Sequence, residues 1–221
     1  MTGLHKPAAI IFDWDDTLVD NWETAFKALN TALVHMGMEP WSEEETRRRS
    51  GPTARALFTE LFGEARWEEA DKVYYDTFCK LVRANPRLHD KADELLQLLA
   101  DNNIHMAVVS NKRNPLLSEE VANLGFGRFF KKVLGAGEAS ADKPDPAPLL
   151  HTLKALGITP GPHVWYLGDS HTDMMCAIGA GCTAVLFESK PPPADLLIKN
   201  PPAARFRNHG ELMEYLARYF A

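Results

Sequence analysis

The chain reads as an α/β protein: a parallel sheet with helices on both faces, interrupted once by an inserted all-helical segment. Three features predict this. Apolar, β-branched-rich runs recur at Ala8–Phe12, Ile104–Val109, Lys132–Leu134, His163–Leu167 and Thr183–Phe187, with helical patterns between them. Those helical patterns end in stop signals. From about Leu18 to about Asp90 there is no strand pattern at all, only helical periodicity, which is far too long for an ordinary crossover.

Taken in order, Ala8–Phe12 is short and continuously apolar, as a strand buried on both faces should be. In the insertion, Trp22, Phe26, Leu29 and Leu33 fall on one helical face that ends at Gly37. Further helices are expected over Glu43–Arg49, Thr53–Phe62 and Trp67–Val82, with Pro86 as the return hinge. Lys91–Ala100 carries Leu95, Leu96, Leu98 and Leu99 before Asp101-Asn102-Asn103 stops it. Pro115–Leu124 ends at Gly125 and Pro146–Leu156 at Gly157, glycines placed where a helix C-cap wants them. Met174–Gly181 is a small-residue helix, and the proline clusters at 191–193 and 201–202 are stiff loops.

Composition narrows the class. The chain has 221 residues, 45% apolar and 24% charged, ordinary for a globular protein of one large domain or a core with a smaller insertion. No apolar run approaches the roughly 20 residues that span a bilayer, and the N-terminus does not read as a secretory signal. Cys79, Cys176 and Cys182 are scattered and odd in number, which suggests neither a disulfide frame nor a metal spacing and fits a cytoplasmic location. A formal charge of −6 with no basic stripe argues against nucleic acid, and Arg47-Arg48-Arg49 reads as a solvated helix face.

Four polar clusters fall at the expected C-terminal ends of strands, where open α/β sheets bind ligands. Asp13, Asp15 and Asp16 follow the first strand. Asp13 and Asp15, one residue apart on extended chain, face the same cleft. Their mutual repulsion calls for a balancing charge such as a divalent cation, the competing reading being Asp16 or Asp20 as a helix N-cap. Ser110-Asn111-Lys112 follows the second strand, where a hydroxyl and backbone amides suit phosphate oxygens, although Ser110 equally suits an N-cap. Lys143 stands before the rigid Pro144-Asp145-Pro146 turn, placed to neutralise a phosphate or an aspartate. Gly168-Asp169 leaves a buried strand, with Asp173 one helical turn on and His171 as a peripheral neighbour.

In this order the motifs resemble the haloacid dehalogenase-like hydrolase superfamily, and the Val109–Lys112 segment with the helical insertion resembles its phosphoglycolate phosphatase-like branch. The resemblance implies a Rossmann-like core at residues 1–18 and 88–221 and a helical C1 cap at 19–87. It implies a phosphatase acting on a small phosphorylated metabolite, phosphoglycolate-like or a sugar phosphate, as a monomer or homodimer without membrane or nucleic-acid partners. Asp13 is then the nucleophile that forms an aspartyl-phosphate, and Asp15 the acid and later the base. Mg²⁺ is held by Asp13, the Asp15 carbonyl and Asp169, with Asp173 in support. Lys143, Ser110 and the Asn111 backbone hold the phosphoryl group, and Thr17 orients the first loop. Arg48, Arg55 and the Ser50-Gly51-Pro52 turn are candidates to face the cleft from the cap. A phosphomutase of the β-phosphoglucomutase type keeps the same motifs. A 2-haloacid dehalogenase typically lacks the second aspartate present here as Asp15, and a non-catalytic binding protein should have lost one of the motif residues.

Overall fold

The computed structural model describes residues 3–84 and 87–220; the hinge residue Pro86 lies outside them. Six strands form one parallel sheet: β1 (Ala9–Phe12), β2 (His105–Arg113), β3 (Val133–Ala136), β4 (Val164–Gly168), β5 (Thr183–Phe187) and β6 (Ala204–Phe206), in the order β3-β2-β1-β4-β5-β6. The chain order reverses at β1, so β1 is flanked by β2 and β4 and their C-terminal ends converge at the switch point. Phe12 pairs with both Val108 and Leu167, which sets Asp13 level with Val109 and Gly168.

Every residue of β1 is buried because both faces are covered. On one face Ile10, Phe12 and Trp165 pack with α5 (Ala92–Asp101), α6 (Asn114–Asn123) and α9 (His209–Phe220). On the other, Ile11, Val109 and Tyr166 pack with α7 (Ala147–Leu156) and α8 (His171–Gly179). Alternate strand residues serve opposite layers, so a continuous apolar run supplies both.

The insertion comprises α1 (Trp22–His35), α2 (Glu43–Arg49), α3 (Ala54–Phe62) and α4 (Trp67–Ala84). It has an apolar cluster of its own, centred on Leu29, Leu33, Phe58 and Ala70. Ser42 and Thr53 cap α2 and α3, their hydroxyls accepting from Glu45 N and Ala56 N.

Several details differ from the sequence-based expectation. Strand β6 and helix α9 were not anticipated: β6 is three residues long with only Phe206 buried, too short for a periodicity. Strand β2 runs on through Ser110-Asn111-Lys112 to Arg113 with its β3 pairing shifted between Val109 and Arg113, so Ser110 is a strand residue rather than an N-cap. Neither Asp16 nor Asp20 caps α1; the cap position is Asn21, whose side chain makes no capping bond. Helix α8 begins at His171, earlier than expected, because Ser170 and Asp173 form a reciprocal capping box.

Candidate active site

The converging strand ends and the insertion enclose a cavity of about 190 Å³, lined by Asp13, Asp15, Ser110, Lys143 and Asp169 on the sheet side. Asp13 extends β1 by one hydrogen bond, its amide donating to Leu167 O at 2.8 Å. The chain then turns tightly, with Asp16 at a φ of 58°, a left-handed conformation that aspartate tolerates better than most residues.

Two buried lysines organise the aspartates. Lys143 Nζ lies 2.8 Å from Asp13 Oδ1 and donates to Asp173 Oδ1 at 2.7 Å. Asp173 also accepts from Tyr166 Oη at 3.3 Å, Ser170 N at 2.9 Å and Ser170 Oγ at 2.6 Å. Both its oxygens are therefore engaged by protein, Oδ1 by Lys143 and Oδ2 by Ser170. Gly168 is required beside it, since a Cβ there would sit 2.4 Å from the Asp173 carboxyl carbon.

Lys112 is the second lysine, and sequence reasoning gave it no role. Its Nζ donates to Asp15 Oδ1 at 2.9 Å and to Glu120 Oε2 at 2.7 Å. Glu120 Oε2 also accepts from Trp14 Nε1 at 2.7 Å, and Asp15 Oδ1 from Asn21 Nδ2 at 2.6 Å. The β2 irregularity carries Lys112 inward. Glu120 sits in an α6 sequence, Ser118-Glu119-Glu120, that looks like an exposed helix face, so only the three-dimensional packing reveals it.

The electrostatics follow from burial. Burial raises Asp13 to about 6 against the opposing pull of Lys143, and burial with the Asp15 charge raises Asp16 to about 8. Asp169 is pushed well above the usual carboxylate range by burial and by Asp173, Asp16 and Asp13. Burial opposes charge on Lys143 and Lys112, but their paired carboxylates more than offset it and hold both above the ordinary lysine value.

Thr17 is fully buried and donates to Asp169 Oδ1 at 3.4 Å. Ser110 is buried in the cavity wall. Asn111 contributes through its side chain as well as its backbone position. Its Nδ2 donates to Gly51 O at 2.7 Å and Lys143 O at 2.9 Å, while its Oδ1 accepts from Lys143 N at 3.1 Å. One amide thus ties the Lys143 loop to the insertion. Gly51 lines the cavity at a φ of 114°, and a Cβ would meet Thr172 at 2.7 Å.

The arginine expectations are corrected. Arg48 points away and pairs with Asp195 at 2.8 Å, joining the insertion to the core at the surface. Arg55 lies over the Trp67 ring at 5.0 Å and is exposed, outside the cavity lining. Arg49 is the member of the basic run that lines the cavity. His171 does not line it either.

Among the described residues the carboxylate oxygens of Asp13, Asp169 and Asp173 lie within 4.8 Å of one another. Cys176 and Cys182 form no disulfide, and no helix of the described residues is long and apolar enough to cross a membrane.

Comparison with known proteins agrees with this geometry. Phosphoglycolate phosphatase from Psychrobacter arcticus is 28% identical over 223 residues, covering 96% of each chain. The enzyme of the same name from Neisseria meningitidis is 30% identical over 191 residues, 83% of this chain and 81% of that one. A solved HAD-superfamily hydrolase from Ehrlichia chaffeensis matches with a TM-score of 0.66 at 30% identity, covering 98% of both chains. A hydrolase from Pseudomonas syringae shares the fold with a TM-score of 0.82 at 20% identity, covering 95% of this chain and 98% of its own. The haloacid dehalogenase-like hydrolase family model matches residues 10–187, from β1 through β5, and the chain belongs to that family.

Proposed function

We propose that this phosphatase hydrolyses a small phosphorylated metabolite through a phosphoryl intermediate on Asp13, with Mg²⁺ as cofactor, in the cytoplasm. Residues 19–87 are the cap and 1–18 with 88–221 the core. The observation that carries the reading is the pairing of Asp13 and Asp15 at the β1 terminus, each held by its own buried lysine in one cavity with Ser110 and Asp169.

The donor set suits a hard cation. It is all oxygen, and Asp169 is half-buried and, among the described residues, makes no ion pair, the Lys143 charge acting on it only from a distance. Asp13, the Asp15 backbone carbonyl and Asp169 would hold Mg²⁺, with Asp173 supporting from behind. When bound, the ion supplies charge neutralisation for the phosphoryl oxygens.

The chain's own groups then divide the work. Lys143 and Ser110 hold the phosphoryl oxygens, with the Asn111 segment beside them. An Asp13 oxygen forms a bond to phosphorus as the ester oxygen leaves, and Asp15 gives that oxygen its proton. Asp15 next takes a proton from water, the water oxygen attacks phosphorus, and the bond to Asp13 breaks to release phosphate. The cap excludes bulk water while the intermediate exists.

The test is Mg²⁺-dependent phosphate release from 4-nitrophenyl phosphate. Asp13→Asn should abolish it, and retained activity in that variant would refute the nucleophile. Asp15→Asn should bind Mg²⁺ yet turn over poorly. Sugar-phosphate isomer exchange outpacing phosphate release would mark a mutase instead.

A further inference from the structure

The leaving-group side of the cavity has a chemistry that the names of the relatives do not convey. Its wall is built by the cap from Phe26, Leu29, Leu57, Tyr74 and Phe78 of the helices and Trp41 of the loop between α1 and α2. Among the described residues, three cationic side chains line the cavity, and each is already paired. Lys143 lies between Asp13 and Asp173, and Lys112 between Asp15 and Glu120. Arg49 contacts Glu45 at 2.6 Å and Glu60 at 3.6 Å, with its guanidinium 5.0 Å from the Trp41 ring.

A substrate carboxylate beyond the phosphoryl group would therefore be taken from water into an apolar wall with no unpaired cation to meet it. A neutral ring has the opposite fate. Phe26, Leu29 and Phe78 offer it apolar contact with no charge to desolvate. Among the described residues, Trp22 lines the cavity and its buried indole Nε1–H has no acceptor. It suits a neutral acceptor on the substrate, such as a hydroxyl, carbonyl or ring nitrogen.

We infer that the preferred substrates are phosphate monoesters of an uncharged alcohol bearing one aromatic or similarly apolar ring, and that short anionic esters such as a phosphorylated hydroxy acid are disfavoured. This rests on the phosphatase reading of the same site.

The experiment compares kcat/KM of the full chain with Mg²⁺ for benzyl phosphate and 2-phosphoglycolate. Both are esters of primary alcohols, so intrinsic leaving-group reactivity is similar. Burial of the ring should favour benzyl phosphate by about tenfold or more. A smaller ratio, or preference for 2-phosphoglycolate, overturns the inference while leaving the phosphatase reading intact. Failure to hydrolyse either ester or 4-nitrophenyl phosphate overturns the phosphatase reading, and the inference with it.

Phe26→Lys supplies the missing cation at a half-buried wall position. It should raise kcat/KM for 2-phosphoglycolate and lower that for benzyl phosphate; a ratio unchanged in the folded variant refutes the assigned cause. Trp22→Phe should selectively slow 3-pyridylmethyl phosphate, whose ring nitrogen accepts, by about threefold or more relative to benzyl phosphate. An equal effect on both removes the indole from the inference.

Discussion

Replacing Lys112 with methionine tests the charge architecture of the site most directly. The Lys112 side chain is 3% exposed, that of Glu120 8% and that of Asp15 31%. At an effective dielectric constant of about 20, contacts near 2.8 Å are each worth about 6 kcal/mol of attraction before desolvation. Burying the ammonium cancels much of that, and the half-open side of Asp15 screens its share. The net loss expected for Lys112→Met is about 3–5 kcal/mol, most of it from stranding Glu120.

The pH dependence supplies the sign. Burial and the Asp15 charge already hold Glu120 above the usual carboxylate range. In the variant its folded pKa rises further above its unfolded value, so the folded state binds the extra proton. The deficit should therefore be full at pH 8 and shrink as pH falls toward 5. Glu120→Gln keeps an acceptor for Trp14 and removes the stranded charge, so the double variant should recover about 2 kcal/mol relative to Lys112→Met. Urea denaturation at pH 8 and pH 5 reads both effects. A single-variant loss below about 1 kcal/mol, or no coupling between the two positions, would refute the argument. Turnover should fall as well, since Asp15 Oδ1 would retain only Asn21.

Two further perturbations probe the frame. His209 is buried between the carbonyls of Thr17 and Asp90, at 2.9 and 3.1 Å. Burial outweighs those acceptors and lowers its pKa to about 4. The unfolded chain then binds the proton first, and stability should fall by about 3 kcal/mol between pH 6.5 and 4, a dependence that His209→Gln removes. An imidazole titration midpoint above 6.5 by NMR would contradict this. Gly168→Ala drives a methyl into an Asp173 carboxylate that cannot rotate away from its four partners. It should cost about 1–3 kcal/mol by denaturation and displace Lys143 from Asp13; wild-type stability would show that Asp173 has slack.

What was legible in the sequence was whatever leaves a periodic or local trace. The buried strands announce themselves as continuous apolar runs, Asp13 and Asp169 stand at the ends of two of them, and Lys143 stands before the rigid Pro144 turn. Lys112 and Glu120 leave no such trace. A lysine three residues past the expected strand and a glutamate in a polar helix look solvated, and only the β2 irregularity with the α6 packing turns them together. The arginines failed for the converse reason. Arg48 and Arg55 have the right charge in the right segment, but helix phase points one at Asp195 and lays the other over Trp67.

The two lysines also explain why the proposed cation belongs beside Asp169. Each bridges a motif aspartate and a buried carboxylate: Asp13 with Asp173, and Asp15 with Glu120. Each of those outer carboxylates is fixed by a further donor, Ser170 for Asp173 and the Trp14 indole for Glu120. Such a brace holds a lysine in one place, and among the described residues neither lysine forms an ion pair with Asp169, although the Lys143 charge acts on it from a distance. Asp169 is left with the Thr17 hydroxyl at 3.4 Å, and burial drives it well above the usual range. Adding a third lysine would neutralise it but fill the space that the phosphoryl group must occupy. A small divalent ion neutralises the same carboxylate while leaving coordination positions open to substrate oxygens. Under the proposed function, the crowding of acids at β1 is then a division of labour: the two lysines hold Asp13 and Asp15, and an exchangeable cation would complete the charge balance at Asp169.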